Sequence, residues 1–193
     1  MITKTEISLM NKFIHQLSKL KFLTRASNNP LVKDKDTVAS HSWRSLVLAL
    51  FADDFVDQKI DQSKIISMLI VHDLVEIQND EVVALGFRND AQKKEKELSE
   101  DLSFFSYLPP KMFNKIQKLW IEFRDQTTLE SKLAKAIENF ESNVSIIESV
   151  EAIKDPHHKE LTINYIKRRL GIDSGLDKVI EFQLNEIEEV SKS

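Results

Sequence analysis

Hydrophobic residues recur along most of the chain at about every 3.6 residues, which is the period of a helix with one buried face. The pattern predicts a first helix over 7–23 and a second that begins at Thr37 or Ser40 and includes the apolar segment 46–51. Further helices are predicted over 63–77, 91–107, 111–124, 129–153, 156–170 and 175–190. The mixed segment 79–90 contains Gly86 and is predicted to be a loop. The pattern therefore indicates an all-α protein.

Two of these segments are apolar on every side, namely 46–51 and 65–71. A helix without a polar face is typical of the interior of a bundle, so we predict that the second and third helices are central. The third apolar run ends abruptly at His72 and Asp73.

The composition supports one helical domain. Only three glycines and four prolines occur in 193 residues, which favours long helices over a sheet with many tight turns. With 41% hydrophobic residues the chain can bury one substantial core. We find no internal repeat and no long linker, and expect a single domain over 1–193, with its motifs in about 20–150 and further helices in about 156–190.

The charge and the absence of cysteine limit the possible partners. The net charge is −4 and the charges of both signs are interspersed, which disfavours binding to a nucleic-acid polymer. No cysteine is present, so disulfides and thiolate metal sites are excluded and any metal must be bound through nitrogen and oxygen. No apolar stretch approaches the roughly 20 residues of a membrane span. We expect a cytoplasmic protein that does not interact with a membrane.

Four polar residues stand out at the ends of the two central helices. His72 and Asp73 end the third helix, Glu76 lies one turn further on, and His41 opens the second helix. Unpaired polar groups inside a protein cost about 1–3 kcal/mol each on mutational scales, so these groups need partners. Two imidazoles with carboxylates form a mixed site suited to a first-row divalent metal ion. The alternative is that the histidines are ordinary hydrogen-bonded residues of the core.

The segments 37–44 (TVASHSWR) and 69–76 (LIVHDLVE) resemble the first two motifs of the HD-domain phosphohydrolase superfamily. The similarity is greatest to its branch of 5′-deoxynucleotidases and extends loosely from about 20 to 148. It implies an HD-type helical bundle holding one divalent metal ion, which could be Mn, Co, Ni, Fe, Zn or Mg.

By this resemblance His41, His72 and Asp73 are metal ligands, and a fourth ligand comes from a later helix. The family has an aspartate there, whereas this chain has Glu138. The stripe Ala134, Glu138, Glu141 and Ser145 borders the predicted apolar seam Leu133, Ile137, Phe140, Val144 and Ile147. Glu138 is therefore expected to face the ion, and the alternative is a solvated position at the edge of the helix.

The same resemblance assigns catalytic and substrate-binding residues. Glu76 is one, and Glu81 occupies the position of the family's catalytic aspartate, with Asp80 as a substitute one residue earlier. Arg25 corresponds to an arginine that clamps phosphate, although the tryptophan that follows it in the family is missing.

The resemblance implies a metal-dependent 5′-nucleotidase that releases phosphate from nucleoside or deoxynucleoside monophosphates, and by analogy a homodimer. The replacements at Glu81 and Glu138 leave a second hypothesis open. In that hypothesis the chain is a degenerate, non-catalytic HD domain that binds nucleotides or other proteins.

Overall fold

The computed structural model of the protein describes residues 2–25, 36–78, 102–148 and 150–192. The α-helices in these ranges are α1 (Lys4–Leu17), α2 (Val38–Ala49), α3 (Ala52–Phe55), α4 (Gln62–Val71), α5 (Pro110–Asp125), α6 (Leu129–Ile147), α7 (Val150–Lys154), α8 (Pro156–Lys167) and α9 (Ser174–Val190). Short 3₁₀ helices cover Ser18–Lys21, Leu74–Gln78 and Ser103–Phe105. Within the described ranges the chain has no strand, only an isolated antiparallel bridge between Thr24 and Thr37, and the all-α prediction is confirmed.

Side chains that bind free backbone N–H groups fix where the central helices begin. Thr37 is the N-cap of α2 and its hydroxyl accepts a hydrogen bond from the Ser40 N–H at 3.1 Å, which decides between the two caps predicted. Thr128 caps α6 in the same way through the Ser131 N–H. These caps determine which turn of each helix carries the polar residues of the site.

The main hydrophobic core lies where α2, α4 and α6 pack against one another, and α5 covers α4 and α6. Its fully buried members include Ala49 of α2, Ile65, Met68 and Leu69 of α4, and Leu133, Ala134 and Ile137 of α6. A second cluster packs the 3₁₀ helix Leu74–Gln78 against Phe105 and Trp120. The 3₁₀ helix that follows His72 and Asp73 is therefore held in place by its contacts with this cluster.

The second and third helices are central, since both contribute to the main core, but neither is buried on every side. Val47, Leu50 and Phe51 are 37%, 59% and 54% exposed, and Ile70 is 56% exposed. Each helix keeps one face toward solvent and buries the other in the main core, where α2 packs on α4 and α6, and α4 packs on α5 as well.

Three helix boundaries also differ from the prediction. The helix predicted over 63–77 ends at Val71 and continues as a turn and a 3₁₀ helix, and within 129–153 the structure has two helices, of which α6 ends at Ile147 and α7 begins at Val150. The first predicted helix, 7–23, begins at Lys4 and ends as α-helix at Leu17. The loop predicted over 79–90 and most of the helix predicted over 91–107 lie outside the described residues.

The predicted apolar seam of α6 is partly wrong. Leu133, Ile137 and Ile147 are buried, but Val144 is 39% exposed. Polar residues take part of the buried face instead, namely Glu138, Asn139, Glu141 and Asn143. No helix in the described ranges has the length and apolar character needed to cross a bilayer.

Candidate metal centre

His41, His72 and Asp73 converge on one point between α2 and α4. His41 Nε2 lies 3.3 Å from His72 Nε2, and Asp73 Oδ2 lies 3.0 Å from His72 Nε2 and 3.8 Å from His41 Nε2. One ligand atom from each residue lies within 4.8 Å of the other two. A single small cation placed among these atoms could contact all three, because metal–ligand bonds are about 2.0–2.2 Å long.

Local backbone structure directs both imidazoles to this point. His41 lies in the first turn of α2, and its backbone N–H donates to the Thr37 carbonyl. His72 follows the last residue of α4, and its Nδ1 lies 2.7 Å from the Leu69 carbonyl oxygen. A carbonyl only accepts, so Nδ1 carries the proton that makes this bond and Nε2 faces the site.

The electrostatics of the pair His72 and Asp73 suit a cation. Burial favours the neutral carboxyl of Asp73, but the adjacent His72 outweighs it and lowers the pKa of Asp73 to about 2. Burial likewise opposes protonation of His72, and Asp73 outweighs that effect, so the pKa of His72 is raised. Asp73 is thus ionised at neutral pH, and a divalent ion would compete with the proton on His72.

Glu138 is buried beside the same point and is not a solvated residue at the helix edge. It is 6% exposed, and its Oε1 lies 3.7 Å from His41 Nε2. Its Oε2 accepts from Lys135 Nζ at 2.8 Å. Burial would raise the pKa of Glu138, but Lys135, then His41 and Arg25, hold it far below the ordinary range.

Arg25 reaches the site from the segment that precedes α2. Its Nη2 lies 3.0 Å from Ser142 Oγ and 3.5 Å from Glu138 Oε1, and its Nη1 lies 3.4 Å from Glu141 Oε2. The Arg25 side chain is 22% exposed.

Glu76 follows the site in the 3₁₀ helix Leu74–Gln78, and its backbone N–H donates to the Asp73 carbonyl. Asp80 and Glu81, which were predicted as catalytic, lie outside the described residues.

A family model described as HD domain matches residues 17–177 of this chain. The chain belongs to the HD domain family. Two relatives of known name are both called 5′-deoxynucleotidase HDDC2. The one from Dictyostelium discoideum is 28% identical over 169 residues, which cover 84% of this chain and 86% of the relative. The one from Danio rerio is 24% identical over 57% of this chain and 54% of the relative.

Solved structures of similar shape support the same fold. A predicted metal-dependent phosphohydrolase from Magnetospirillum magnetotacticum superposes with a TM-score of 0.77 at 19% identity, covering 100% of this chain and 97% of that one. The PH0347 protein from Pyrococcus horikoshii gives a TM-score of 0.67 at 22% identity, covering 92% of this chain and 97% of that one. At these identities the likeness shows the HD fold.

Three residues of this HD domain contact the site although the sequence did not single them out. Glu141 contacts His41, Arg44 contacts Glu141, and Lys135 contacts Glu138. Their spacing was a usable signal, since Glu141 and Lys135 are each three residues from Glu138, and Arg44 is three residues from His41.

Proposed function

We propose that this HD domain is a metal-dependent phosphohydrolase that releases phosphate from nucleoside or deoxynucleoside 5′-monophosphates. The observation that carries the proposal is the convergence of His41, His72 and Asp73 within 4.8 Å. The substrate class rests on the relatives named 5′-deoxynucleotidase, one of which aligns with 84% of this chain.

The donor set fits a first-row divalent ion. Two imidazole nitrogens and one carboxylate oxygen are ligands that Mn, Co, Ni, Fe and Zn accept, whereas Mg prefers a set made of oxygen atoms. When bound, such an ion would polarise the phosphoryl group and make a water molecule more acidic than in bulk solvent. His41, His72 and Asp73 would hold it.

Arg25 is proposed to bind the phosphate of the substrate. A planar guanidinium matches the oxygens of a phosphate, and the Arg25 side chain lies beside the site and is partly exposed. Glu76, together with Glu81 or Asp80, is proposed to orient the attacking water and to move protons toward the leaving oxygen.

Glu138 is proposed as the fourth ligand, through Oε1, while Oε2 stays bound to Lys135. Glu138→Gln should weaken metal affinity by about tenfold or more, because the amide carries no negative charge. Titration calorimetry with Mn or Co measures this. The matched control is Glu130→Gln, a change on the same helix at a residue that pairs with Lys64. Equal affinities for the wild type and Glu138→Gln would mean that Glu138 is not a ligand.

The proposed activity is tested by phosphate release from a panel of ribo- and deoxyribonucleoside 5′-monophosphates. The protein is first stripped with a chelator and then supplied with Mn, Co, Ni, Fe, Zn or Mg in turn. We expect release with at least one first-row ion and none in the presence of excess chelator. Nucleotide binding without release under every condition would favour the non-catalytic module, which is motivated by the replacements at Glu81 and Glu138.

Homodimerisation and a cytoplasmic location stay predictions from the sequence.

A further inference from the structure

A buried carboxylate lies directly behind His41, on the side away from Asp73 and His72. Glu141 of α6 is 4% exposed, and its Oε2 is in contact with His41 Nδ1. Since Nε2 of the same ring faces His72, the two nitrogens of His41 have different surroundings. Sequence motifs assign His41 to the metal and assign nothing to Glu141.

A chain of charged groups in turn holds Glu141. Its Oε1 accepts from Arg44 Nε at 2.5 Å, and the Arg44 guanidinium also pairs with both carboxylate oxygens of Asp36. The Arg44 side chain is 44% exposed, so this series of contacting charged groups extends from the buried ring of His41 to the surface. Glu141 therefore has one oxygen fixed by Arg44 and one available to His41.

The contact at Nδ1 decides whether His41 can be a ligand. A neutral imidazole has one N–H, and only the other nitrogen has a lone pair for a metal ion. A carboxylate accepts a hydrogen bond, so Glu141 selects the form with the proton on Nδ1 and leaves Nε2 free. His72 reaches the same state through the Leu69 carbonyl.

Arg25 competes for the same nitrogen. Its Nη1 contacts His41 Nδ1, and a guanidinium can only donate, so this contact alone would select the form with the proton on Nε2. That form has no lone pair on Nε2, the nitrogen that faces the metal site. The same Nη1 also lies 3.4 Å from Glu141 Oε2, and the carboxylate can accept from Arg25 and from His41 together. Without the carboxylate only the contact with Arg25 remains.

We propose that Glu141 is a positioning residue that keeps the proton of His41 on Nδ1, so that Nε2 is available to a metal ion, and that Arg44 and Asp36 hold Glu141 in place. This inference rests on the metal site of the proposed function. It assigns to Glu141 a role in metal affinity although its carboxylate faces the nitrogen that is turned away from the ion.

Calorimetric metal titration of the full chain is the first test, with the wild type, Glu141→Gln and Glu130→Gln compared using Mn or Co alone. Glu141→Gln should bind the ion about 10–100-fold more weakly, the range usual for groups that orient a metal-ligating histidine. Glu130→Gln should bind it as the wild type does. Equal affinity in Glu141→Gln overturns the inference, whereas no binding by the wild type overturns the proposed metal site itself.

The second test reads the proton position without metal. Nitrogen-15 NMR of the histidine rings in the metal-free protein at neutral pH distinguishes an N–H nitrogen from a bare one. We expect His41 to carry its proton on Nδ1 in the wild type and to shift toward the Nε2 form in Glu141→Leu, because leucine, unlike glutamine, has no oxygen that could accept from Nδ1. His72 is the internal control, because its acceptor is a backbone carbonyl. An unchanged His41 in the variant overturns the inference.

Arg44→Gln covers the case in which Glu141→Gln fails to fold, as judged by far-ultraviolet circular dichroism. Arg44 is close to half exposed, so its replacement leaves the core intact. Loss of its bond to Glu141 should weaken metal affinity by about tenfold, the lower end of the same range. Wild-type affinity in this variant would overturn the role proposed for Arg44 and Asp36 in holding Glu141.

Discussion

His72→Ala is expected to abolish metal binding and to lower phosphate release by about 10³-fold or more while the protein stays helical. His72 Nε2 lies 3.3 Å from His41 Nε2 and 3.0 Å from Asp73 Oδ2, so its loss removes one of the three proposed ligands that converge there. A Lewis acid contributes several kcal/mol to a phosphoryl-transfer transition state, and each 1.36 kcal/mol or so corresponds to a factor of ten in rate.

The fold should survive this change because His72 follows the last residue of α4. Its ring packs on Phe123, with ring centroids 5.3 Å apart, so the truncation leaves a cavity. His72→Gln retains more of that volume and should lose metal in the same way, which separates the loss of a ligand from the loss of packing. Calorimetry, phosphate release and thermal unfolding followed by circular dichroism are measured for both variants.

The exposed His15 of α1 provides the matched control, since His15→Ala removes an imidazole far from the site in sequence and leaves its ligands intact. We expect wild-type metal affinity and turnover in this variant. Wild-type turnover in His72→Ala, with metal affinity retained, would contradict the assignment and place the activity elsewhere in the chain.

The pairing of the two central helices could be predicted from the sequence because local signals agree there. Thr37 is a cap residue placed so that His41 falls in the first turn of α2, and the apolar run 65–71 ends at His72. Burial of the apolar faces brings α2 and α4 together, and the polar residues at their ends then meet. The sequence motifs and the helical period therefore both predict that the polar residues at the ends of these two helices lie close together.

The rotation of α6 could not be predicted from hydrophobicity. Asn143 and Gln183 are buried because they pair across the contact between α6 and α9, where Asn143 Nδ2 lies 3.3 Å from Gln183 Oε1. Gln183 also donates to the Phe140 carbonyl at 2.9 Å. The bond to Gln183 holds Asn143 in the core although Asn143 Oδ1 has no hydrogen-bond partner among the described residues, whereas the neighbouring Val144 is 39% exposed.

The rotation of α6 also explains why the sequence did not assign Glu141 to the site. Glu138 and Glu141 lie on one face of α6, and both are buried, yet one contacts Nε2 of His41 from 3.7 Å and the other contacts Nδ1. Three residues of separation advance the chain along the helix by about 4.5 Å, so the two carboxylates lie about one turn apart beside the same ring. The sequence places both carboxylates on one stripe beside the predicted seam, and only the packing of α6 on α2 assigns each to one nitrogen of His41.

Glu76→Gln is expected to lower the rate of phosphate release by about 10²–10⁴-fold with metal affinity close to that of the wild type. Glu76 lies in the 3₁₀ helix directly after the site and is half-buried. Its backbone N–H donates to the Asp73 carbonyl at 3.1 Å, which ties its position to that of a proposed ligand. The second cluster of the core holds the neighbouring residues Val75 and Ile77.

Glutamine has the shape of glutamate but cannot take up a proton, so this variant separates proton transfer from metal binding. Single-turnover phosphate release measures the first, and calorimetry with Mn or Co measures the second. Glu148→Gln, at the exposed end of α6, removes a carboxylate outside the site and should change neither. A rate equal to that of the wild type would remove Glu76 from the mechanism and leave the proton transfer to Asp80 or Glu81. A parallel loss of metal affinity would instead make Glu76 part of the metal site.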